Sequence, residues 1–336
     1  MNKKNLEDFG LNIGKWTMKT PYKKARLFSP QTRAAIDLIR PFTLAAPLIV
    51  SMSIMVASLV FYAEQGKIQI PPNWYFIVAQ AGLTIAIVNA ASNSLNQAAD
   101  VESDKISKPY RPIPQRLISR DSAQSIAYIF YLFALLRAVT INFWFGLFIF
   151  LIMVFTVTYS LPPRMKKYLF INQIWIAIPR GMLGILASWS VFGHEHLFET
   201  PTPWIIGGVA TAFLIGGMAT KDITDAKADK ATGVRTMINT FGTKITAYVS
   251  LPLMIFPFIF IIILINLDLL AGYLWPLSFF SVLSFLIFYL MVKEKESKTL
   301  ENVHAWSIMY VTYIFFALVF SVLTIFNDIL PGFLYL

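Results

Sequence analysis

Two acidic clusters in this chain have residue types and spacings that can do chemistry. The first is Asn96-Gln-Ala-Ala-Asp100-Val-Glu-Ser-Asp104, which runs on through Lys108 and Arg111. The second is Asp222-Ile-Thr-Asp225-Ala-Lys-Ala-Asp229. Asn96, Asp100 and Asp104 stand at i, i+4 and i+8, which turn through only about 80° on an α-helix. Asp222, Asp225 and Asp229 stand at i, i+3 and i+7, again one stripe. Left unpaired, so many carboxylates repel and raise one another's pKa values. Mg2+ resolves that conflict, because it takes oxygen ligands, commonly one or two carboxylates together with substrate phosphate oxygens. Lys105, Lys108, Arg111, Lys221, Lys227 and Arg235 share the same two stretches. Acids for a metal beside cations for phosphate oxygens form the arrangement expected for a diphosphate. The plainer reading is of solvated loop charges, some capping helices; two stripes at one depth argue against it.

The elements that must hold these clusters are apolar helices. The 336 residues are 57% hydrophobic and 14% charged, with a mean hydropathy of +0.62, a composition that soluble domains of this length do not show. Runs of 18 or more apolar residues recur, each long enough to cross the roughly 30 Å hydrocarbon core. The pattern predicts nine spans, near 42–62, 74–97, 122–139, 142–160, 171–192, 203–220, 245–267, 270–292 and 304–327. The nearly continuous stretches 122–160 and 245–292 divide as hairpins at Asn142 and at Asp268–Gly272. The expected fold class is therefore an all-α polytopic membrane protein, a nine-helix bundle over 42–336 with a central cavity opening near the cytoplasmic face. Residues 1–41 form a basic cytoplasmic segment without the apolar core of a signal peptide, suited to lie against anionic headgroups.

The net charge of +10 is sorted by topology, so it does not signal nucleic acid. With the N-terminus inside, segments 1–41, 98–121, 161–170, 221–244 and 293–303 hold 25 of the 28 Lys and Arg, as the positive-inside rule requires. This places the N-terminus in the cytoplasm and the C-terminus outside, with a prokaryotic cell membrane as the expected location. Both acidic clusters follow even-numbered spans, the second and the sixth, so they emerge on one side and can face each other across a cavity mouth. The four-span separation also suggests a parallel repeat pairing Asp100/Asp104 with Asp225/Asp229. The chain has no cysteine, which removes disulfides and thiolate chemistry. His194-Glu-His196 lies on the opposite side and is the weaker metal candidate.

The motifs also resemble those of a family, the UbiA-type intramembrane prenyltransferases. Its N-x-x-x-D-x-x-x-D motif is matched by Asn96, Asp100 and Asp104, and the continuation Ser107-Lys-Pro-Tyr-Arg-Pro-Ile-Pro114 is similar to its N-K-P-Y-R-P-I-P. Its D-x-x-D-x-x-x-D motif with G-x-x-T-L resembles Asp222 to Asp229 with Gly233-Val-Arg-Thr236-Met237. Tyr159-Ser-Leu-Pro-Pro-Arg164-Met-Lys166 resembles the Y-S-x-P-P-x-x-x-K loop, and Arg40-Pro41 the entrance to the first span. Arg116 stands where many relatives have glycine, and Met237 where they have leucine. The resemblance implies Mg2+-dependent transfer of a polyprenyl group from its diphosphate to a lipophilic or anionic acceptor within the membrane. It implies metal and diphosphate binding at Asn96, Asp100, Asp104, Asp222, Asp225 and Asp229. It further implies diphosphate contacts from Lys108, Arg111, Lys166 and Arg40, with Tyr159 lining the reacting end.

Arg180 falls about ten residues into the fifth span, where a guanidinium is costly and treated as functional by default. It is expected to bind an anionic group of the acceptor; the alternatives are backbone carbonyls freed by Pro179, or the diphosphate from below. Arg137, near the end of the third span, is expected to snorkel. The short motifs favour a glycerol-phosphate or tetrapyrrole acceptor and leave aromatic quinone precursors open, with geranylgeranyl as the expected tail. Rival readings are a cyclase of the same fold that needs no acceptor, a CDP-alcohol phosphatidyltransferase, and a cation transporter. The phosphatidyltransferase lacks its D-G-x-x-A-R element here. A transporter would set its carboxylates at midplane rather than beside Lys and Arg.

Overall fold

The computed structural model describes residues 29–293 and 302–329; most of the basic 1–41 segment and the chain end after 329 lie outside them. Among the described residues, nine helices are long and apolar enough to cross a membrane. They are α2 (Pro41–Glu64), α3 (Trp74–Ala99), α5 (Arg120–Val139), α6 (Phe143–Ser160), α7 with α8 (Ile171–Arg180 and Met182–Gly193), α9 (Thr202–Gly217) with a 3-10 turn to Ile223, α11 (Met237–Asn266), a 3-10 segment from Gly272 leading into α12 (Phe280–Lys293), and α13 (His304–Ile325). Shorter helices are α1 (Pro30–Ile39), α4 (Val101–Ser107) and α10 (Ala226–Ala231).

Local chemistry sets the boundaries. Asn142 ends the first hairpin as an N-cap, its side chain accepting from Phe145 N at 2.8 Å, which satisfies a donor that α6 would otherwise leave open. Thr236 and Asn239 form a reciprocal capping box that starts α11 eight residues earlier than the hydropathy pattern predicts. Gly242 then breaks α11 with φ 79 and ψ 164, a conformation that glycine reaches without steric cost, and the apolar run resumes just beyond it. Ser29 and Pro30 start α1, which lies on α3: Asn93 Nδ2 donates to Ile39 O at 2.8 Å and Gln97 Nε2 to Leu38 O at 2.8 Å.

The spans form a closed ring in chain order. Each packs on the next, α2 on α3, α3 on α5, α5 on α6, α6 on α8, α8 on α9, α9 on α11, α11 on α12 and α12 on α13, and α13 closes back on α2. Large apolar side chains such as Ile129, Leu132, Leu136, Phe143 and Val282 face outward, as a bilayer-embedded surface requires. The protein is an integral membrane protein. Across the ring, α2 and α8 meet at the end away from the acidic loops. There Tyr62 and Trp189 are fully buried; the Trp189 indole donates to the Tyr62 hydroxyl at 3.0 Å, which donates to His196 O at 3.0 Å. This aromatic plug closes that end, and the space inside the ring opens towards the acidic loops.

Candidate active site

The first acidic cluster is built on a broken helix. The α3 backbone leaves helical geometry at Asp100 (φ −105, ψ 17) and resumes as α4. The stripe expected from helical spacing is thus bent at its middle residue, although the bonds Asp100 N to Asn96 O (2.9 Å) and Asp104 N to Asp100 O (2.8 Å) keep the register. The second cluster is also divided: Asp222 sits in the 3-10 turn after α9, Asp225 precedes α10 and Asp229 lies in its first turn. α4 packs against α10, so the two clusters meet. Asn96, Asp100, Asp104, Asp222, Asp225 and Asp229 all line one cavity, together with Lys108, Arg111, Lys166, Arg40, Tyr159 and Arg180. Lys221 lines it too, whereas Lys105, which pairs with Glu102, and Lys227, Arg235, His194 and His196 do not.

Cations alternate with the acids. Asp100 accepts from Arg164 Nη2 at 2.8 Å, from Asn96 Nδ2 at 2.9 Å and from Lys166. Arg111 Nη1 reaches both Asp104 oxygens at 3.0 and 2.9 Å, and Lys108 reaches both of Asp225 at 2.5 Å. Asp222 pairs with Lys221 and accepts weakly from Asn172 at 3.4 Å. The Asn172 Oδ1 in turn accepts from Lys221 and from the Tyr159 hydroxyl, each at 3.1 Å, which fixes Tyr159 beside the second cluster.

The electrostatics follow from these pairings. Burial alone would raise the Asp100 carboxyl, but Lys166 and then Arg164 hold it below the ordinary range. Asp225 behaves likewise: Lys108 outweighs burial and lowers it. Burial wins at Asp104, which is raised despite Arg111. Asp229 has no ion pair among the described residues, and burial, then Asp222 and Asp225, push it up to about 7. No three carboxylates or histidines among the described residues already converge on one point, because lysines and arginines occupy the space between them.

The donor set nevertheless suits a hard divalent cation. The cavity presents carboxylate and amide oxygens, with no histidine or cysteine among its lining residues. Asp229, raised by burial first and by Asp222 and Asp225 second, is a carboxylate whose ionised form a bound cation would favour. At the far end, His196 Nδ1 is tied to Glu199 at 2.8 Å, and Glu199 to Lys67 at 2.7 Å, so this histidine serves an ion-pair chain. Arg137 donates to Gln80 O at 3.1 Å and Thr84 Oγ1 at 3.2 Å, packing on α3.

Several residues of this network and of the cavity wall escape sequence reasoning. Arg164 and Asn172 join the acidic network only through contacts 50 to 64 residues apart. Arg164 adopts φ 56 and Arg40 φ 53, unusual for non-glycine residues and characteristic of functional sites. Tyr310 and Tyr313 come from the ninth span. The one signal for such residues is polarity inside an otherwise apolar helix, as with Asn89, Asn93 and Asn96 on one face of α3.

Comparison with known proteins agrees with the fold. A sequence profile of the UbiA prenyltransferase family matches residues 50–309. The digeranylgeranylglyceryl phosphate synthase of Methanobrevibacter smithii is 26% identical over 251 residues, 71% of this chain and 85% of that protein. The homogentisate solanesyltransferase of Arabidopsis thaliana is 26% identical over 83% of this chain and 74% of its own. Among solved structures, a UbiA homolog from Archaeoglobus fulgidus bound to DMAPP and Mg2+ has a TM-score of 0.61 at 18% identity. It covers 86% of this chain and 99% of its own.

Proposed function

Because the chain belongs to the UbiA prenyltransferase family, we propose that it transfers a polyprenyl group, geranylgeranyl being the expected tail, from its diphosphate to a membrane-associated acceptor. The observation that carries this reading is the meeting of α4 with α10, which sets five aspartates beside Lys108, Arg111, Lys166 and Lys221 at the mouth of a cavity whose wall also carries apolar side chains such as Ile152, Phe155, Leu214 and Met309. Asn96, Asp100, Asp104, Asp222, Asp225 and Asp229 are the residues that would hold Mg2+. When bound, the metal supplies charge neutralisation for the departing pyrophosphate.

The chain's own residues do the rest. Lys108, Arg111, Arg164 and Lys166, now tied to aspartates, exchange those partners for phosphate oxygens, so binding trades one set of ion pairs for another. Arg40, at the junction of α1 and α2, adds a further cation to the same wall. The allylic C–O bond breaks with its electron pair leaving on pyrophosphate. The acceptor's nucleophilic atom bonds to the allylic carbon and its proton is lost. Tyr159, positioned by Asn172, offers a π face to the allylic cation. Ile152, Phe155, Leu214, Met218 and Met309 keep water from it.

A digeranylgeranylglyceryl phosphate synthase and a homogentisate solanesyltransferase among the relatives support a glycerol-phosphate lipid or an aromatic quinone precursor as acceptor, and the sequence motifs keep a tetrapyrrole as the third candidate. The basic loops around the acidic mouth support a cytoplasmic position for that face, by the positive-inside rule. The test is pyrophosphate release from geranylgeranyl diphosphate in liposomes with Mg2+, comparing wild type with Asp100→Ala and Asp225→Ala across an acceptor panel. Release that requires Mg2+, both aspartates and one acceptor supports transfer. Release without acceptor would assign a cyclase, and no Mg2+-dependent donor binding would refute the reading.

A further inference from the structure

Arg180 lines the cavity and, among the described residues, makes no ion pair with either acidic cluster. It sits in the last turn of α7, eight residues beyond Asn172, which touches Asp222 and Lys221. At the helical rise this places it ~12 Å deeper than the acidic mouth. Its only hydrogen-bond contact among the described residues is a long one, Nη1 to Met218 Sδ at 3.5 Å. No carboxylate among the described residues lies within ion-pair distance of it. The carbonyls freed by Pro179 are not its partners either. Yet its backbone is held firmly: the Tyr313 hydroxyl donates to Arg180 O at 2.6 Å and Gly181 N donates to Ala177 O at 2.7 Å. Its strongest electrostatic neighbours are Tyr159, Tyr310, Arg40 and Tyr313, none of them acidic. Conversely, the principal cationic neighbours of the aspartates are Lys108, Arg111, Arg164, Lys166 and Lys221, never Arg180.

A buried guanidinium on a firmly held backbone, among tyrosines and without a carboxylate partner among the described residues, is suited to take an anion from a ligand. We infer that Arg180 binds the anionic group, a carboxylate or a phosphate, of the prenyl acceptor and so selects acceptors that carry one. This rests on the reading of the site as a prenyltransferase. The diphosphate is served by the cations at the mouth, so the anion at Arg180 belongs to the second substrate. Tyr159 lines the cavity together with both the acidic mouth and Arg180. An acceptor anchored at Arg180 therefore has its nucleophilic atom directed back towards the allylic carbon.

The test uses full-length protein in liposomes with geranylgeranyl diphosphate and four acceptors: a hydroxylated aromatic acid and its methyl ester, and a prenylglyceryl phosphate and its dephosphorylated alcohol. Donor binding with Mg2+ is measured first in wild type, Arg180→Gln and Arg180→Lys. Equal donor binding in all three shows that the variants fold and that Arg180 does not serve the diphosphate. Wild type is then expected to prefer one charged acceptor over its neutral partner, which identifies the anion as carboxylate or phosphate. Arg180→Gln should raise that acceptor's KM about 10- to 100-fold, the loss typical of a charge-assisted hydrogen bond, and erase the preference for charge. Arg180→Lys should restore part of both. The inference is overturned if Arg180→Gln impairs donor binding, if it keeps the wild-type preference, or if wild type that binds donor turns over neutral acceptors only or none of the four. Wild type that fails to bind donor with Mg2+ would instead overturn the prenyltransferase reading.

Discussion

Gly181 separates α7 from α8 and directly follows Arg180, which makes Gly181→Ala a sharp test of how the cavity is framed. A Cβ at this position would lie 2.4 Å from Thr211 Oγ1, 2.6 Å from Thr211 N and 2.7 Å from Thr211 Cα. Two of these are backbone atoms of α9, so no rotamer change relieves the clash. Carbon contacts settle near 3.5–4.0 Å, so the helices must part by ~1 Å. Overpacking of this kind costs ~1–3 kcal/mol. The same movement stretches the Met182 N to Thr211 Oγ1 bond, now 2.7 Å, for a further ~1 kcal/mol. At ~2–4 °C per kcal/mol the midpoint of thermal unfolding in detergent should fall by roughly 5–10 °C. The acceptor KM should rise as Arg180 shifts. Gly208→Ala, on the neighbouring helix, is the control: its new Cβ meets only Met182 Cε at 3.8 Å and should change stability by less than ~0.5 kcal/mol. A Gly181→Ala protein that melts with wild type, or no earlier than Gly208→Ala, would refute the close approach of α7/α8 to α9.

Other perturbations follow from the same geometry. Arg116 is exposed and held at φ 58, so Arg116→Gly should stabilise the protein by ~0.5–1 kcal/mol despite the flexibility glycine adds; a lower melting temperature would count against the turn geometry. Lys166→Met should raise the donor KM about 10- to 100-fold with little effect on unfolding, because Asp100 keeps Arg164 and Asn96; an unchanged donor KM would remove Lys166 from the diphosphate site. In chelator, the Asp229 carboxyl rises from 3.8 to about 7 on folding, so the fold favours its protonated form. The resulting penalty is absent below the unfolded value and grows as pH climbs through 7. Asp100 and Asp225, lowered by folding, are ionised throughout pH 6–8 and add no slope there. The melting temperature of wild type relative to Asp229→Asn should therefore decline across pH 6–8; parallel profiles would show that Asp229 is not so placed.

The spans were legible because twenty apolar residues have few alternatives to crossing a bilayer, and the hairpin at Asn142 because an N-cap residue interrupts the run. The acidic clusters were legible because four-residue spacing survives even where the helix bends at Asp100. What hydropathy misses is backbone events inside apolar runs: the break at Gly181 and the kink at Gly242 change no residue's polarity. Ion-pair partners were also hidden. Lys108 and Asp225 lie 117 residues apart, and only the packing of α4 on α10 joins them. Spacing placed the acids side by side but not the cations between them, since a flexible lysine leaves no periodic trace. Arg180 could be singled out from its depth alone, whereas its lack of a counter-charge is a property of the folded bundle.

The ring order has a consequence for how the protein is made. Eight of its nine seams join spans that follow one another in the chain, so each can dock as its helix leaves the insertion machinery. The ninth joins α13 to α2, through Tyr310, whose hydroxyl accepts from Ala46 N at 2.8 Å and donates to Phe42 O at 3.0 Å across more than 260 residues. Until that last helix arrives the ring is an open horseshoe, and lipid has access to the space that later holds substrate. Arrival of α13 is therefore also the moment at which the ring around that space closes. A ribosome that stops one span early would leave a protein with all six of the aspartate and asparagine residues proposed to hold Mg2+ and no closed chamber to use them in.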